Sequence, residues 1–358
     1  MKICHSRFCG GSLMKKMRTI ATGVLLGLGL VGSVAYATPE SKAAASFLLF
    51  EPSARSAALG RAYVAIADDA NATYYNPSAL VDNVRKDMSF TMYKPIPALA
   101  SDVFFAYGTY AQPMGGVGNL GFSMSYVSLG KQFRTGAQGE EQGQFTSFDI
   151  AVGASYGMRL TKKISTGLTL KFIHEHLSDQ GAGQERGRGT GTSFAGDFGL
   201  MYRPSDRLTL AWALRNVGPN ITFIDDRQSD PLPQHMVFGF AYKVYKHGAH
   251  SVLVTTDVYK PLVGDGFFSF ATSWKDEPFS QQLKAMDFRG GAEYQINLTD
   301  ASYVALRGGF ASDRDGKVNT PTFGMGLKYN WMTFDVAYFT AGSTPLQNEF
   351  RFSGGFHF

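Results

Sequence analysis

Hydrophobic residues alternate with small or polar residues along most of this chain, from about residue 88 to its end. A repeat of two residues places successive side chains on opposite faces of a β-strand. One such segment has Leu120, Phe122 and Met124 on one face and Gly121 and Ser123 on the other. The alternation therefore predicts strands that each have one apolar face and one face of small residues.

Fourteen segments carry this alternation, and most are long enough to cross a bilayer as tilted strands. They are residues 88–93, 102–111, 118–128, 145–156, 164–176, 192–203, 207–216, 235–244, 250–259, 286–295, 301–310, 320–329, 331–340 and 349–358. A soluble β-sandwich also alternates, but its outward face is strongly polar. Here the second face is Gly, Ala, Ser and Thr with isolated charges, and the apolar face ends repeatedly in aromatic residues. Because strands can span lipid only in a closed ring, the sequence predicts an all-β fold, a 14-stranded antiparallel transmembrane β-barrel.

The connections between the predicted strands alternate in length. Long ones follow the third, fifth, seventh and ninth strands, at 129–144, 177–191, 217–234 and 260–285. Short ones follow the even-numbered strands. Short periplasmic turns and long external loops are the outer-membrane arrangement, so we expect both chain termini to be periplasmic.

The first 37 residues have the parts of a secretory signal peptide. Lys15, Lys16 and Arg18 form a positive start, residues 20–34 are apolar, and residues 35–37 give an A-x-A cleavage site. Both cysteines lie in this leader, so the mature chain offers no thiol for a disulfide, a nucleophile or a metal site.

The positive net charge of the chain also lies in the leader. The chain has 34 Lys and Arg residues and 29 Asp and Glu residues, and residues 1–37 hold five basic residues and no acidic ones. The remainder therefore carries 34 minus 5, or 29, basic residues against 29 acidic ones. We expect no nucleic-acid partner, because no basic excess remains to bind one.

Residues 38–87 lack the alternation of the predicted barrel at 88–358. Residues 54–70 are rich in alanine and have helical spacing, and Asn76 with Pro77 marks a turn. A barrel of fourteen strands encloses a lumen too wide for small inward side chains to fill. We therefore predict that residues 38–87 form an N-terminal periplasmic or lumen-filling plug. The alternative is a loose periplasmic tail.

The sequence offers little catalytic or metal-binding chemistry. His174 and His176 share a face of one predicted strand, but two ligands alone make no metal site. Asp68 and Asp69 are expected to act as capping and turn residues rather than as catalytic or calcium-binding carboxylates. No G-x-S-x-G nucleophile motif occurs. We therefore expect no enzyme activity, no cofactor and no metal.

The long connection at 260–285 carries four aromatic residues: Phe267, Phe268, Phe270 and Trp274. Together they predict an exposed aromatic surface on which a protein partner can dock. The alternative is that these side chains fold over and close the barrel mouth. The connections at 129–144 and 177–191 are expected to contribute to the same docking surface.

Five short segments precede the first predicted strand: FLLF at 47–50, SARSAALG at 53–60, YVA at 63–65, ADDA at 67–70 and YNPS at 75–78. Together they resemble the N-terminal signature of the PorV/PorQ family of outer-membrane barrels. That family is similar to the FadL long-chain fatty-acid transporters, whose first strand is preceded by a hatch. The resemblance implies that six residues belong to such a hatch: Arg55, Gly60, Asp68, Asp69, Asn76 and Pro77.

The resemblance implies two functions. PorV-like proteins receive the C-terminal signal domain of secreted proteins in type IX secretion, whereas FadL-like proteins pass hydrophobic molecules past the hatch and out through a lateral opening. Charged inward positions such as Lys171, Asp197 and Arg215 favour protein cargo over an apolar path. We therefore expect an outer-membrane barrel in contact with lipid, with secreted cargo and secretion-machinery subunits as partners. Transport of fatty acids or other hydrophobic small molecules is the alternative.

Overall fold

The structure, a computed structural model, describes residues 43–96, 100–136, 138–178, 189–223, 229–263, 285–313, 318–340 and 349–358. The predicted signal peptide lies outside these residues, and so does the aromatic group Phe267, Phe268, Phe270 and Trp274. No helix in the described part of the chain is long and apolar enough to cross a membrane.

Fourteen strands form one closed antiparallel ring, as the alternation predicts. They are β1 (Asp87–Tyr93), β2 (Phe104–Pro113), β3 (Asn119–Thr135), β4 (Glu141–Arg159), β5 (Ile164–Ser178), β6 (Gly189–Ser205), β7 (Leu208–Val217), β10 (His235–His247), β11 (His250–Pro261), β12 (Asp287–Thr299), β13 (Ser302–Asp313), β14 (Val318–Tyr329), β15 (Met332–Phe339) and β16 (Glu349–His357). A separate small hairpin, β8 (Ile221–Thr222) with β9 (Ser229–Asp230), lies between β7 and β10. The sequence did not predict this hairpin.

The ring closes because the first strand pairs with the last. Ser89 of β1 lies opposite Thr109 of β2 on one side and Gly355 of β16 on the other. Closure leaves no unpaired edge along the wall, which is what spanning lipid requires. The two faces follow the predicted alternation. On β4, Ala151 is buried and faces the lumen, whereas Val152 is 48% exposed and faces outward.

The predicted connection at 129–144 is wrong, because most of it is strand. β3 continues to Thr135 and β4 begins at Glu141, so the two form a long hairpin. A bulge at Gly130, with φ of 78°, interrupts the two-residue repeat and bends the strand. Asp102 stabilises the bend by accepting a hydrogen bond from the Lys131 backbone nitrogen at 2.9 Å. The broken repeat and the polar composition concealed this strand in the sequence.

The N-terminal segment, residues 43–86, lies inside the ring. It contains a 3₁₀ helix (Ser46–Leu49), helix α1 (Ala54–Ala58), helix α2 (Ala72–Tyr75) and a second 3₁₀ helix (Pro77–Asp82). Two caps define the helix starts: the Ser53 side chain accepts from the Ser56 backbone nitrogen, and the Asn76 side chain accepts from the Ser78 backbone nitrogen. Leu59 and Tyr63 are fully buried, and the segment shares one apolar core with inward-facing wall residues.

Candidate functional site

The two ends of the barrel differ. The short turns at 114–118, 160–163, 206–207, 248–249, 300–301 and 330–331 define the short-turn end. The chain enters β1 and leaves β16 at this end too, because the backbones of Lys86 and Phe358 exchange two hydrogen bonds of 3.0 Å. The connections at 94–103, 136–140 and 218–234 define the opposite, long-loop end.

Glycines in the wall make room for the turn at Asn76 and Pro77. Gly157, Gly167 and Gly199 lie on the neighbouring strands β4, β5 and β6, and all three face the lumen. A methyl group at Gly157 or Gly167 would collide with Pro77, and one at Gly199 would collide with the Asn76 side chain. We call these three glycines the first cradle. Their lack of a side chain lets the segment reach the wall backbone.

A second cradle lies almost opposite the first. Gly291, Gly309 and Gly324, on β12, β13 and β14, face the stretch from Ala58 to Gly60. Strands β5 and β13 are six strands apart in one direction around the ring and eight in the other. Gly60 has φ of 64° and lies against wall backbone, so a larger residue would be both strained and obstructed. The segment is therefore held at two opposite walls.

Arg55 ties helix α1 to the wall near the second cradle. Its Nε lies 3.0 Å from Glu293 Oε2, and its Nη1 lies 2.5 Å from Asp68 Oδ1. Glu293 also receives Arg307 Nε at 2.6 Å, and Arg307 Nη1 reaches Asp335 Oδ1 at 2.6 Å. These alternating charges form one network, so removal of one member takes an ion-pair partner from each of its neighbours.

Asp69 shapes the turn before helix α2. Its carboxylate accepts hydrogen bonds from the Tyr63 hydroxyl at 2.8 Å and from the Asn71 backbone nitrogen at 3.0 Å. Burial, and after it the charges of Asp87 and Asp68, raises the pKa of Asp69 to about 6. Asp68 and Asp69 line a cavity of about 670 Å³ at the short-turn end. These contacts favour a turn-forming role for Asp69.

Carboxylates of the wall hold the backbone of the segment directly. Asp257 Oδ2 accepts from the backbone nitrogens of Tyr63 at 2.8 Å and Val64 at 3.0 Å. Glu175 Oε2 accepts from the Ala45 nitrogen at 3.1 Å. Sequence reasoning missed these contacts. The only sequence signal for these contacts is a single acidic residue on an inward strand face that otherwise consists of small residues.

Glu51 is a charged centre nearer the long-loop end. Its Oε1 lies 2.8 Å from Arg289 Nη1 and 3.0 Å from Arg61 Nε, and Arg351 donates to its main-chain oxygen at 3.0 Å. Burial alone would raise the pKa of Glu51, but the guanidinium groups around it hold that pKa below its ordinary value. Glu51 was not among the predicted hatch residues, although it lies within the same segment.

The structure places the six residues predicted for the hatch at four locations. They are the ion network with Arg55 and Asp68, the second cradle with Gly60, and the turn with Asp69, while Asn76 and Pro77 occupy the first cradle. The two histidines lie on β5, where His174 contacts Thr192 and the His176 ring stacks on Phe148. In the described residues no three His, Cys, Asp or Glu side chains are placed to hold a metal ion.

A closed antiparallel barrel of fourteen strands, with the segment that precedes its first strand inside the ring, defines the class of transmembrane β-barrels. Within this class, the chain belongs to the family of the type IX secretion system protein PorV, whose sequence profile matches residues 38–266. The fold and the family are those of secretion or transport barrels of the outer membrane. No curated protein sequence is significantly similar to the chain.

Several solved structures share the fold. The toluene transporter TbuX of Ralstonia pickettii has a TM-score of 0.55 at 14% identity, over 85% of this chain and 97% of that one. The monoaromatic hydrocarbon channel CymD gives 0.51 at 10% identity, over 87% and 98%. The Pseudomonas putida toluene transporter TodX gives 0.50 at 11%, over 84% and 96%. At these identities the similarity extends to the fold alone.

Proposed function

We propose that this barrel binds secreted proteins at its long-loop end and hands them on in type IX secretion. The filled lumen carries the proposal. Two glycine cradles, a charge network and backbone-to-carboxylate bonds fix the N-terminal segment against opposite walls. A protein substrate has no path through a lumen occupied in this way. The barrel therefore binds cargo at its outer rim and does not conduct it through the lumen.

The hairpin of β3 and β4 supplies a surface for such cargo. Residues 131–135 pair with residues 141–146, beyond the point where the neighbouring strands stop pairing with them. β2 reaches only to Ser128 of β3, and β5 reaches only to Phe148 of β4. The hairpin thus extends past the wall, with Phe133 55% exposed.

Transport of hydrophobic compounds is less well supported by the described residues. The segment and the inward wall meet through charged clusters, at Arg55 and at Glu51. A large apolar groove of about 940 Å³ contains Phe172, Phe194 and Phe198, whose exposed side chains face outward, and its inner side meets the charged side chains of Lys171 and Asp197. A fatty-acid path would require a continuous apolar track inside the barrel.

We also propose that the signal peptide is cleaved after Ala37, that residues 38–87 act as the plug of the barrel, and that the carboxyl terminus is periplasmic. The pairing of Phe358 with Lys86 at the short-turn end supports the last point. The Ala44 backbone nitrogen, however, donates to the Pro231 oxygen at 3.0 Å, in the connection at 218–234. That contact favours an amino terminus near the long-loop end over the expected periplasmic position.

Copurification tests the proposed function. The tagged barrel is extracted from native cells in mild detergent, and mass spectrometry identifies bound proteins and lipids. A variant with residues 131–146 replaced by a two-residue turn is compared with a control altered at Lys162 and Lys163 in a short turn. We expect secreted proteins that share a C-terminal domain to accompany the wild type and the control, and to decrease with the shortened hairpin. A stoichiometric apolar ligand without any cargo would overturn the proposal.

A further inference from the structure

A cavity of about 250 Å³, lined by both polar and apolar side chains, lies between the N-terminal segment and the wall at the long-loop end. Its wall residues stand next to the long connections: Arg215 is two residues from the end of β7, and His235 and Asp287 are the first residues of β10 and β12. Glu51 and Tyr74 of the segment complete the lining. The cavity is thus on the side of the barrel where cargo or ligand arrives.

Three guanidinium groups line this cavity, and two of them share one carboxylate. Arg61 and Arg289 both contact Oε1 of Glu51. The other carboxylates of the lining are those of Asp257, which accepts from two backbone nitrogens through Oδ2, and Asp287. The arginines that surround Glu51 are therefore only partly neutralised by it.

Arg215 is the third guanidinium, and it forms no ion pair with a carboxylate of the described residues. It is 4% exposed, yet no carboxylate in the described part of the chain lies within ion-pair distance of it. Its Cζ lies 3.8 Å from the centre of the Tyr74 ring, and its Nε has no hydrogen-bond partner. A guanidinium cannot lose its proton to escape burial, so this charge is costly unless an anion accompanies it.

The local fold explains why Asp197 of the barrel wall does not form an ion pair with Arg215. Asn216, the next residue, has φ of 59° and forms a bulge in β7. Its backbone nitrogen donates to Asp197 Oδ1 at 2.8 Å, and Lys171 Nζ reaches the same oxygen at 2.7 Å. Two other donors therefore engage Oδ1 of Asp197, and the guanidinium of Arg215 lines the cavity.

We propose that this cavity binds a carboxylate group, with Arg215 as its principal partner. The planar guanidinium matches a carboxylate through two parallel hydrogen bonds. A volume of about 250 Å³ admits the end of an extended chain but not a folded domain. The apolar side chains of Leu49, Val64 and Val237, with the Tyr259 ring, are suited to the group that carries the carboxylate.

Such a carboxylate has two sources, the carboxyl terminus of a peptide and the head of a fatty acid. The peptide source rests on the proposed cargo function, whereas the site itself does not. In the test, the purified barrel is titrated with a fluorescent trivaline peptide bearing a free or an amidated carboxyl terminus. It is titrated in parallel with oleate and with methyl oleate.

We expect one of the two acids to bind, and its amide or ester to bind about tenfold more weakly or worse, because a charge-assisted bond is lost. Arg215→Gln should cause a similar loss, and Arg215→Lys a smaller one. Arg159→Gln, which removes a guanidinium at the short-turn end, should change nothing. Binding of the peptide acid alone supports both proposals. Binding of oleate alone supports the site and counts against the cargo function.

Two results would overturn the site. One is equal binding of the acids and their neutral derivatives, or no binding of either acid. The other is unchanged acid binding by folded Arg215→Gln barrels. The comparison of acid with amide and ester uses the wild-type protein, so it decides the question even where the variant does not fold.

Discussion

Oδ2 of Asp257 lies 2.8 Å from the backbone nitrogen of Tyr63, so a carboxylate of the barrel wall holds the main chain of the segment inside it. The same oxygen accepts from the Val64 nitrogen. Both nitrogens are buried, and they have no other acceptor once this carboxylate is removed. The interior of the barrel is thus assembled from specific polar contacts as well as from apolar packing.

Asp257→Ala is expected to destabilise the folded barrel by roughly 2 kcal/mol or more, because it leaves two buried N–H groups without an acceptor. The measurement is the temperature at which the compact band on a denaturing gel converts to the unfolded band. Asp206→Ala, in an exposed short turn, is the control and should leave that temperature unchanged. Equal temperatures for both variants would show that the Asp257 bonds contribute nothing.

Gly199→Val is expected to displace the N-terminal segment from the first cradle, because the new side chain would occupy the space of Asn76. Cells producing it should become sensitive to large antibiotics that the outer membrane normally excludes. Gly308→Ala is the matched control, since a methyl group there meets no atom within 4 Å. An intact permeability barrier in the Gly199→Val cells would contradict the cradle's role.

Arg55 and Glu293 should be energetically coupled. Arg55→Ala and Glu293→Ala are each expected to cost about 2 kcal/mol, because each removes the two charge-assisted hydrogen bonds that join these side chains. The double variant should cost less than the sum, by about 1–3 kcal/mol. The same gel transition measures all three. Strict additivity would mean that the 3.0 Å contact between these side chains carries no coupling.

The stability of the barrel should depend on pH through Asp69. Its pKa is raised to about 6 in the folded protein, so the folded state binds this proton more tightly than the unfolded chain does. The resulting stabilisation is complete below the unfolded pKa, near 3.8, and is lost as the pH rises through 6. Unfolding temperatures should therefore fall between pH 5 and pH 7.

Asp69→Asn isolates this contribution, since Asp82 also has a raised pKa, caused first by burial, and acts in the same direction. The variant should show a flatter pH profile than the wild type between pH 5 and pH 7. Glu51, with its lowered pKa, loses its stabilising charge only at more acidic pH. Parallel profiles for the variant and the wild type would exclude Asp69 as the titrating group.

The orientation of the barrel can be measured with single cysteines, because both natural cysteines precede residue 37. Gln132→Cys, on the β3–β4 hairpin, should react with a membrane-impermeant maleimide on intact cells. Asn330→Cys, in the turn between β14 and β15, should react only after the outer membrane is opened. The reverse pattern of labelling would invert the proposed topology.

The alternation of residue types was enough to predict the strands and their faces, because it is a local property of each strand. Gly130 shows where this reasoning fails. One bulge residue changes the face of every later side chain, so the outer part of β3 no longer matches a simple repeat. Prediction therefore succeeded for regular strands and failed where a turn or bulge depends on a distant partner such as Asp102.

The candidate site was less accessible to sequence reasoning. Arg55 and Asn76 were identified by resemblance, but their positions at opposite walls depend on the registers of strands far apart in the chain. Arg215 was predicted to face inward, yet its lack of a carboxylate partner among the described residues depends on the bulge at Asn216 and on the pairing of Asp197 with Lys171. Such contacts require the closed ring, which no single strand encodes.

Closure of the ring by β1 and β16 has a consequence for the order of assembly. The N-terminal segment donates from Ala70 to Asp87 of β1 and from Ala54 to Ser353 of β16. A closed barrel has no gap between its strands through which the segment could enter from the side. We therefore expect the N-terminal segment to be in place before β16, the last strand, pairs with β1. The pairing of β1 with β16 thus closes the barrel wall around the N-terminal segment.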